Sequence, residues 1–334
     1  MPRKGKIDRS FFETHVASRL GATREDVLQG PKHGVDFGVI DAGEQALAIA
    51  TDPISILPAL GFARAGRFAA RIVLADVAVS GLAPTHLSVS FSLPPEITDE
   101  QFAAFWEAVD AECRDLGVAI TTGHTARYEG AGFPWVGHGT ALALGDRDSI
   151  VYPDGARVGD RVLVTNGPAV EVTGLFATLF PEQIPVAEET LATAQERLDE
   201  AGSVRDAVAA SEAGGVTAMH DATEGGLLGA AHEMAEGAGA RFTLDSSAIP
   251  RRPGVSAVCE ALDMDPWTAT TAGTLLLTVA PEAVEGVVAA LEARGTPVGV
   301  AGTVEDGEGV VLDGNRIEPP DGDASWPVYE RLLE

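Results

Sequence analysis

Between Gly215 and Leu227 the chain passes from one kind of periodicity to another, and that junction constrains its architecture more than any other stretch. Val216, Ala218 and Met219 read as a short buried strand, whereas Leu227, Leu228, Ala231, Met234 and Ala235 recur at helical spacing and predict a helix with one apolar face. The polar residues fall between them, from His220 to Gly226. Glycines let an anion approach the backbone, and the unpaired N–H groups of a helix start attract it. Asp221 and Glu224 repel it. A divalent cation removes that conflict, because Mg2+ takes one or two carboxylates together with phosphate oxygens. A capping box, with Asp221 at the cap and Glu224 three residues on, is the other reading of the same residues.

Three further aspartates stand at predicted element ends: Asp36 in Gly34-Val-Asp-Phe-Gly-Val-Ile40, Asp52 in Ala48-Ile-Ala-Thr-Asp-Pro53, and Asp76 in Leu74-Ala-Asp-Val-Ala-Val-Ser-Gly81. Asp52 closes the apolar run Ala46 to Ala50, which reads as a strand that Pro53 keeps from simply continuing. Asp76 interrupts the run Phe68 to Val79, a predicted buried helix, where an ionised carboxylate must be paired or hold a cation. Each aspartate alone fits a cap, a turn or a solvated end. Together with the 220–227 loop they read as a cation-binding set.

These motifs resemble the superfamily of aminoimidazole ribonucleotide (AIR) synthetase, the PurM-like proteins, which also includes selenophosphate synthetase, thiamine-monophosphate kinase and the hydrogenase maturation factor HypE. Gly34 to Ile40 resembles its Gly-x-Asp-Ala-Ala-Val-Ile segment, Thr51-Asp52 its Thr-Asp strand end, and Ala75 to Gly81 its Asn-Asp-x-Ala helix. Gly123-His-Thr-Ala-Arg127 is similar to its Gly-Gly/Asp-x-Thr loop, Gly159 to Thr165 to the strand opening its second domain, and His220 to Leu227 to its Asp-Xaa-Thr-Glu-Gly-Gly-Leu motif. The matches run in the family's order over residues 30 to 280, and their wording is nearest to HypE and its archaeal relatives.

The resemblance implies ATP and Mg2+ as cofactors. It implies metal ligation by Asp36, Asp52, Asp76 and Asp221, and catalytic roles for Glu224 and His220. Nucleotide contacts are implied for Lys32, Asp36, Thr51, Gly123, His124, Thr125, Gly225 and Gly226. The expected fold is mixed α/β with two domains: residues 1–148, a sheet domain that binds ATP and Mg2+ and dimerises, and residues 149–334, an AIR synthase-like α/β domain, with ATP between them. The expected activity is phosphoryl transfer from ATP to an amide-like or small-molecule oxygen. A non-catalytic nucleotide-binding assembly partner and a small-molecule kinase like thiamine-monophosphate kinase stand as alternatives. HypE proteins end in a cysteine-bearing tail, whereas this sequence ends Val328-Tyr-Glu-Arg-Leu-Leu-Glu334, so the carbamoyl chemistry of that tail is not expected to transfer. His124 departs from the acidic or glycine residue often found at its place.

Length supports two domains, since 334 residues exceed what one core usually sustains, and with 45% hydrophobic residues the chain can fill both. The polar stretch Gly145 to Gly155 reads as the boundary. Strands are predicted around 36–40, 44–51, 86–92, 118–122, 135–144, 161–165, 215–219, 240–244, 273–279 and 297–303, and helices near 66–80 and 98–116. The formal net charge is −27, and lysine occurs only at Lys4, Lys6 and Lys32, the other basic residues being arginine. That balance fits a halophilic chain kept soluble in a salty cytoplasm, predicts activity rising with KCl, and argues against nucleic acid as a partner. No apolar run is long enough to cross a bilayer, and the start Met1 to Glu13 lacks the apolar core of a signal peptide, so the protein is expected to be cytoplasmic and off the membrane, while the resemblance implies a homodimer.

Cys113 and Cys259, the only cysteines, read as small core residues. His124, His138 and His220 lack the paired short spacing of a zinc site. Lys32 and His33 lie in a glycine-flanked loop that serves either phosphate contact or a solvated turn. Asn166 to Gly174 either lines the substrate side or turns the chain, and Glu318 to Ser325 reads as a mobile linker leading to a docking Trp326 and Tyr329. A Walker-type phosphate loop is absent from the sequence.

Overall fold

The fold is described from a computed structural model for residues 5–7 and 9–334. Met1–Lys4 and Asp8, part of the amino-terminal stretch read above for the absence of a signal-peptide core, lie outside the described residues. The chain forms two compact units, one of residues 26–30 and 36–150, the other of residues 151–334 with 31–35 and the described residues up to Glu25.

The first unit is built on a six-stranded sheet, β1 (Val27–Gln29), β2 (Gly38–Asp41), β3 (Gln45–Ser55), β4 (His86–Leu93), β5 (Ala119–Arg127) and β6 (Trp135–Asp146), in the order β1-β2-β3-β6-β4-β5. Ala46, Ala48, Ala50 and Ile54 alternate inward along β3 as period-2 burial requires. Two helices cover that face. The first, α2 (Phe62–Ala78), approaches α3 (Asp99–Leu116) so closely at Gly66 that a Cβ there would fall 2.2 Å from the Phe105 carbonyl oxygen. Thr98 and Gln101 form a capping box at the start of α3, and Gly117, at φ +74°, ends it in the left-handed conformation. Phe91 anchors the core edge-on against Phe102, Phe105 and Trp106.

β3 does not stop at Asp52. It pairs with β6 through Asp52 opposite Gly139 and Pro53 opposite His138. The reason lies on its other side, where β2 pairs with β3 only as far as Ile49, so Pro53 occupies a stretch with one neighbouring strand and its missing N–H breaks no ladder on the open edge.

In the second unit a short helical turn, α1 (Arg9–Phe11), precedes a seven-stranded sheet. Its strands are β7 (Arg161–Thr165), β8 (Val216–Asp221), β9 (Arg241–Leu244), β10 (Leu275–Val279), β11 (Val298–Glu305), β12 (Gly309–Leu312) and β13 (Asn315–Ile317), in the order β13-β12-β9-β11-β7-β10-β8. The helices are α4 (Val170–Leu179), α5 (Glu188–Gln195), α6 (Val204–Ala213), α7 (Gly226–Ala238), α8 (Val255–Ala261), α9 (Val284–Glu292) and α10 (Ser325–Leu333). One core gathers Leu227, Leu228, Ala231, Met234 and Ala235 of α7 against Val162, Val164, Ala218 and Leu276 of the sheet. A second holds α4, α8 and α10 together through Phe176, Val258 and Val328, with Phe176 stacked on Tyr329. The segment before α10 is tied down rather than loose: Asp323 accepts from Gly225 N at 2.8 Å, and Ala324 N donates to the Thr268 carbonyl. The architecture is thus mixed α/β in two units, and among the described residues no helix is long and apolar enough to cross a membrane.

Candidate functional site

β8 is an edge strand whose last residues, His220 and Asp221, are almost sealed, at 1% and 2% exposure. Ala218 and His220 share one face of the strand, the face on which Ala218 meets α7, so the imidazole points towards that helix. There Glu233 receives it, with Nε2 and Oε2 2.8 Å apart, while Nδ1 stands 3.7 Å from the Asp221 carboxylate. Burial works against the charge on Glu233, but the hydrogen bond from His220 and the neighbouring Lys6, His220 and His33 outweigh it and hold this carboxyl at about 2. Lys6 Nζ completes the cluster, 3.3 Å from Glu233 Oε1.

The turn that follows is not a capping box. α7 begins at Gly226 with Gly225 as its cap, φ +84°, and no side chain caps it, so Asp221 belongs to the strand end. Gly226, at φ +63°, is required sterically: a Cβ would lie 2.6 Å from the Trp267 carbonyl oxygen and 2.7 Å from that of Ala269. The N–H groups here are engaged, that of Gly225 by Asp323, that of Gly226 by the Thr223 carbonyl and that of Leu228 by the Trp267 carbonyl. Glu224 accepts the Lys6 backbone N–H at 2.5 Å. Glu171, at the start of α4, is pushed upward by burial despite accepting from Ala272 N and Thr270 Oγ1, and Asp323 and Glu224 raise it further. Three acids therefore surround the opening of α7.

Lys32 lies in the same unit, with Nζ 3.3 Å from Asp154. With His33 it borders a cavity of about 340 Å3 whose wall also includes Phe12, Asp154 and Glu233. Ahead of α4, Asn166, Gly167 and Ala169 all take positive φ, and the Gly167 carbonyl accepts from both Thr271 and Thr274. The Asn166–Ala169 segment is thereby fixed as a tight turn.

In the sheet unit the remaining candidates divide between two faces. Asp52 shares the inward face with Ala50 and Ile54, and opposite it Gly139 leaves room for Val73 of α2, whose Cγ1 would be 2.5 Å from a Cβ. Asp76 follows Val73 by three residues on the same helix, so Asp52 and Asp76 occupy facing surfaces of β3 and α2. Gly123 lies in the same row, through Val89 and Gly139, with Thr125 two residues on. Thr51 and His124 belong to the open face: Thr51 meets Thr140 at 3.0 Å, and His124 Nε2 lies 3.2 Å from the Tyr128 hydroxyl. Asp36 is half-buried two residues before β2. Carboxylates on facing surfaces of β3 and α2, and another sealed at a strand end, are oxygen donors of the kind Mg2+ takes.

Sequence reasoning passed over Glu171, Glu233 and Asp323. Glu233 falls among the apolar repeats of α7, six residues after Leu227, and only its meeting with His220 across the strand–helix packing distinguishes it.

Residues 34–142 match the family described as AIR synthase related protein, N-terminal domain, and residues 157–315 the family described as AIR synthase related protein, C-terminal domain. The chain is 31% identical over 299 residues to the carbamoyl dehydratase HypE of Bradyrhizobium diazoefficiens, covering 85% of this chain and 80% of that protein. Among solved structures, Escherichia coli HypE, a hydrogenase maturation protein, superposes with a TM-score of 0.71 at 27% identity, over 84% of this chain and 88% of the other. A hydrogenase maturation protein HypE in complex with ATP shares the fold at a TM-score of 0.66 and 23% identity, over 91% and 88%. With both domains matched in order over most of its length, the chain belongs to the AIR synthase-related, PurM-like family and stands near its HypE-like members.

Proposed function

We propose that this chain is an ATP-dependent enzyme that transfers the γ-phosphoryl group of Mg2+-bound ATP to an amide-like or small-molecule oxygen. The observation that carries the reading is the end of β8, where Asp221 is sealed at 2% exposure beside the equally buried His220, one turn before Glu224. Burying a carboxylate is costly unless it is paired, hydrogen-bonded or holds a cation. The HypE relatives and the ATP complex of a HypE support the choice of nucleotide.

In this proposal Asp36, Asp52, Asp76 and Asp221 hold Mg2+, which when bound offsets the charge of the phosphates. Gly123, Thr125 and Lys32 line the nucleotide, Thr51 and His124 being turned to the other face of the sheet, and Gly225 and Gly226 exchange their present N–H partners for phosphate oxygens. His220 and Glu224 orient the acceptor and take its proton. An oxygen acceptor suits the chain better than its own sulfur, because burial pushes Cys113 up to about 11 and Cys259 up to about 12, and neither offers a ready thiolate. The open edge of β5 and the exposed face of its sheet, with Thr51, His124 and His138, are the surface we assign to a homodimer.

The test is ATP binding and ADP release in molar KCl with Mg2+, for the wild type and for Asp221→Ala and Asp52→Ala. A loss of turnover of about 100-fold in each is expected, as for groups that stabilise transferring charge. Unchanged affinity and turnover in both variants would sink the proposal. Screening small metabolites for stimulated ADP release then identifies the acceptor.

A further inference from the structure

Glu233 takes no part in the roles assigned above, yet three separate segments of its unit converge on it. From β8 comes the His220 ring, 2.8 Å away through Nε2; from the amino-terminal segment comes Lys6 Nζ, at 3.3 Å. From the 31–35 loop comes Gly34, at φ +74°, where a Cβ would fall 2.9 Å from Glu233 Cβ. An ionised carboxylate only accepts, so Nε2 of His220 carries the hydrogen in that contact. The ring is then oriented with its other nitrogen towards Asp221, 3.7 Å off, at the open end of β8.

We propose that Glu233 is a positioning residue, which fixes the ring plane and the Nε2–H form of His220 so that the Nδ1 edge is presented beside Asp221. The catalytic value of this arrangement rests on the reading of His220 given above, whereas the arrangement itself does not. A carboxylate holding an imidazole in one tautomer is how proteins commonly orient a working histidine.

The experiment uses the full chain in molar KCl. Two-bond proton–nitrogen spectra of 15N-labelled protein report which ring nitrogen carries hydrogen, and His220→Gln identifies the His220 signals among the seven histidines. In the wild type the Nε2 signal is that of a protonated nitrogen. Glu233→Gln, whose amide oxygen still accepts, keeps it, and Glu233→Ala loses it. ATP turnover falls about tenfold or more in Glu233→Ala, with a smaller loss in Glu233→Gln. The double variant Glu233→Ala/His220→Ala is no worse than His220→Ala alone, because the two residues act as one unit. Unchanged His220 ring signals in Glu233→Ala overturn the proposal, as do additive losses in the double variant. A wild type without ATP turnover defeats the functional reading, and the ring signals still decide the role of Glu233.

Discussion

Single atoms decide several positions in this chain, and glycine shows it most directly. Gly226 and Gly229 sit three residues apart in one helix, yet their surroundings differ: a methyl at Gly226 meets carbonyl oxygens at 2.6 and 2.7 Å with φ at +63°, while one at Gly229 finds nothing nearer than 3.5 Å. Gly226→Ala is therefore expected to cost roughly 2–4 kcal/mol through backbone strain and overlap, and Gly229→Ala to gain about 0.5–1 kcal/mol of helix propensity. Chemical denaturation at fixed KCl measures both, and equal effects of the two substitutions would contradict the packing described. Glu233 gives a prediction of pH dependence. Its carboxyl titrates at about 2 in the folded protein against an ordinary 4.5, so the unfolded chain binds its proton first as pH falls. The contribution of Glu233, on the order of 3 kcal/mol at most, is complete above about pH 4.5 and disappears as pH falls towards 2. Glu233→Gln should flatten the stability profile over that window, and a profile parallel to the wild type would exclude the coupling. Asp36, Asp52, Asp76 and Asp221 were singled out in the sequence because they stand at element ends or interrupt an apolar run; Glu233 and Glu171 were not, since their partners come from other elements.

At the level of elements, the strands and helices followed from periodicity where one face is buried and the other wet. The predicted strands near 44–51, 86–92 and 161–165 appear as β3, β4 and β7, because alternation or a continuous apolar run leaves little choice of register. The sequence misled at Pro53, where proline argued for an ending. Only the sheet order shows that β2 has already stopped at Ile49 and left that edge open. The Asp221–Glu224 spacing misled likewise, since a capping box and a strand end followed by a glycine-capped helix share the same residues. The capping box that does form is at α3, where Thr98 Oγ1 accepts from Gln101 N at 3.2 Å and Gln101 Oε1 accepts from Thr98 N at 3.0 Å. Thr98→Ala should cost about 1 kcal/mol, and Thr98→Asn, which can still cap, much less. Equal losses in thermal unfolding of the two variants would show that the cap contributes nothing. The edge strand β5 makes its own demand: it is exposed along nearly its whole length and, among the described residues, pairs only with β4. Unpaired strand edges invite a partner strand. If this edge serves the proposed homodimer, Thr125→Pro should leave the fold standing and yield a monomer by light scattering, and an unchanged mass would remove β5 from the interface.

For the molecule as a whole the governing quantity is a formal net charge of −27. Like charges at that density oppose compaction and repel a nucleotide, and both effects extend over a Debye length of about 30 Å at 0.01 M salt but only about 3 Å at 1 M. Stability and ATP affinity should consequently both rise with KCl. Screening can be separated from the general strengthening of apolar burial by concentrated salt, because only screening depends on where the charges lie. Glu212, Glu260 and Glu292 are exposed in the last turns of α6, α8 and α9, where the helix dipole already disfavours an anion. Replacing all three with lysine removes repulsion and reverses the sign of the dipole interaction, each exchange contributing about 0.3–1 kcal/mol in dilute buffer. In molar KCl the same substitutions should gain far less, so that the thermal midpoints of variant and wild type converge as salt is added. A gain that stays constant from dilute to molar KCl would mean that propensity or packing, and not the electrostatics of this acidic surface, sets the salt response.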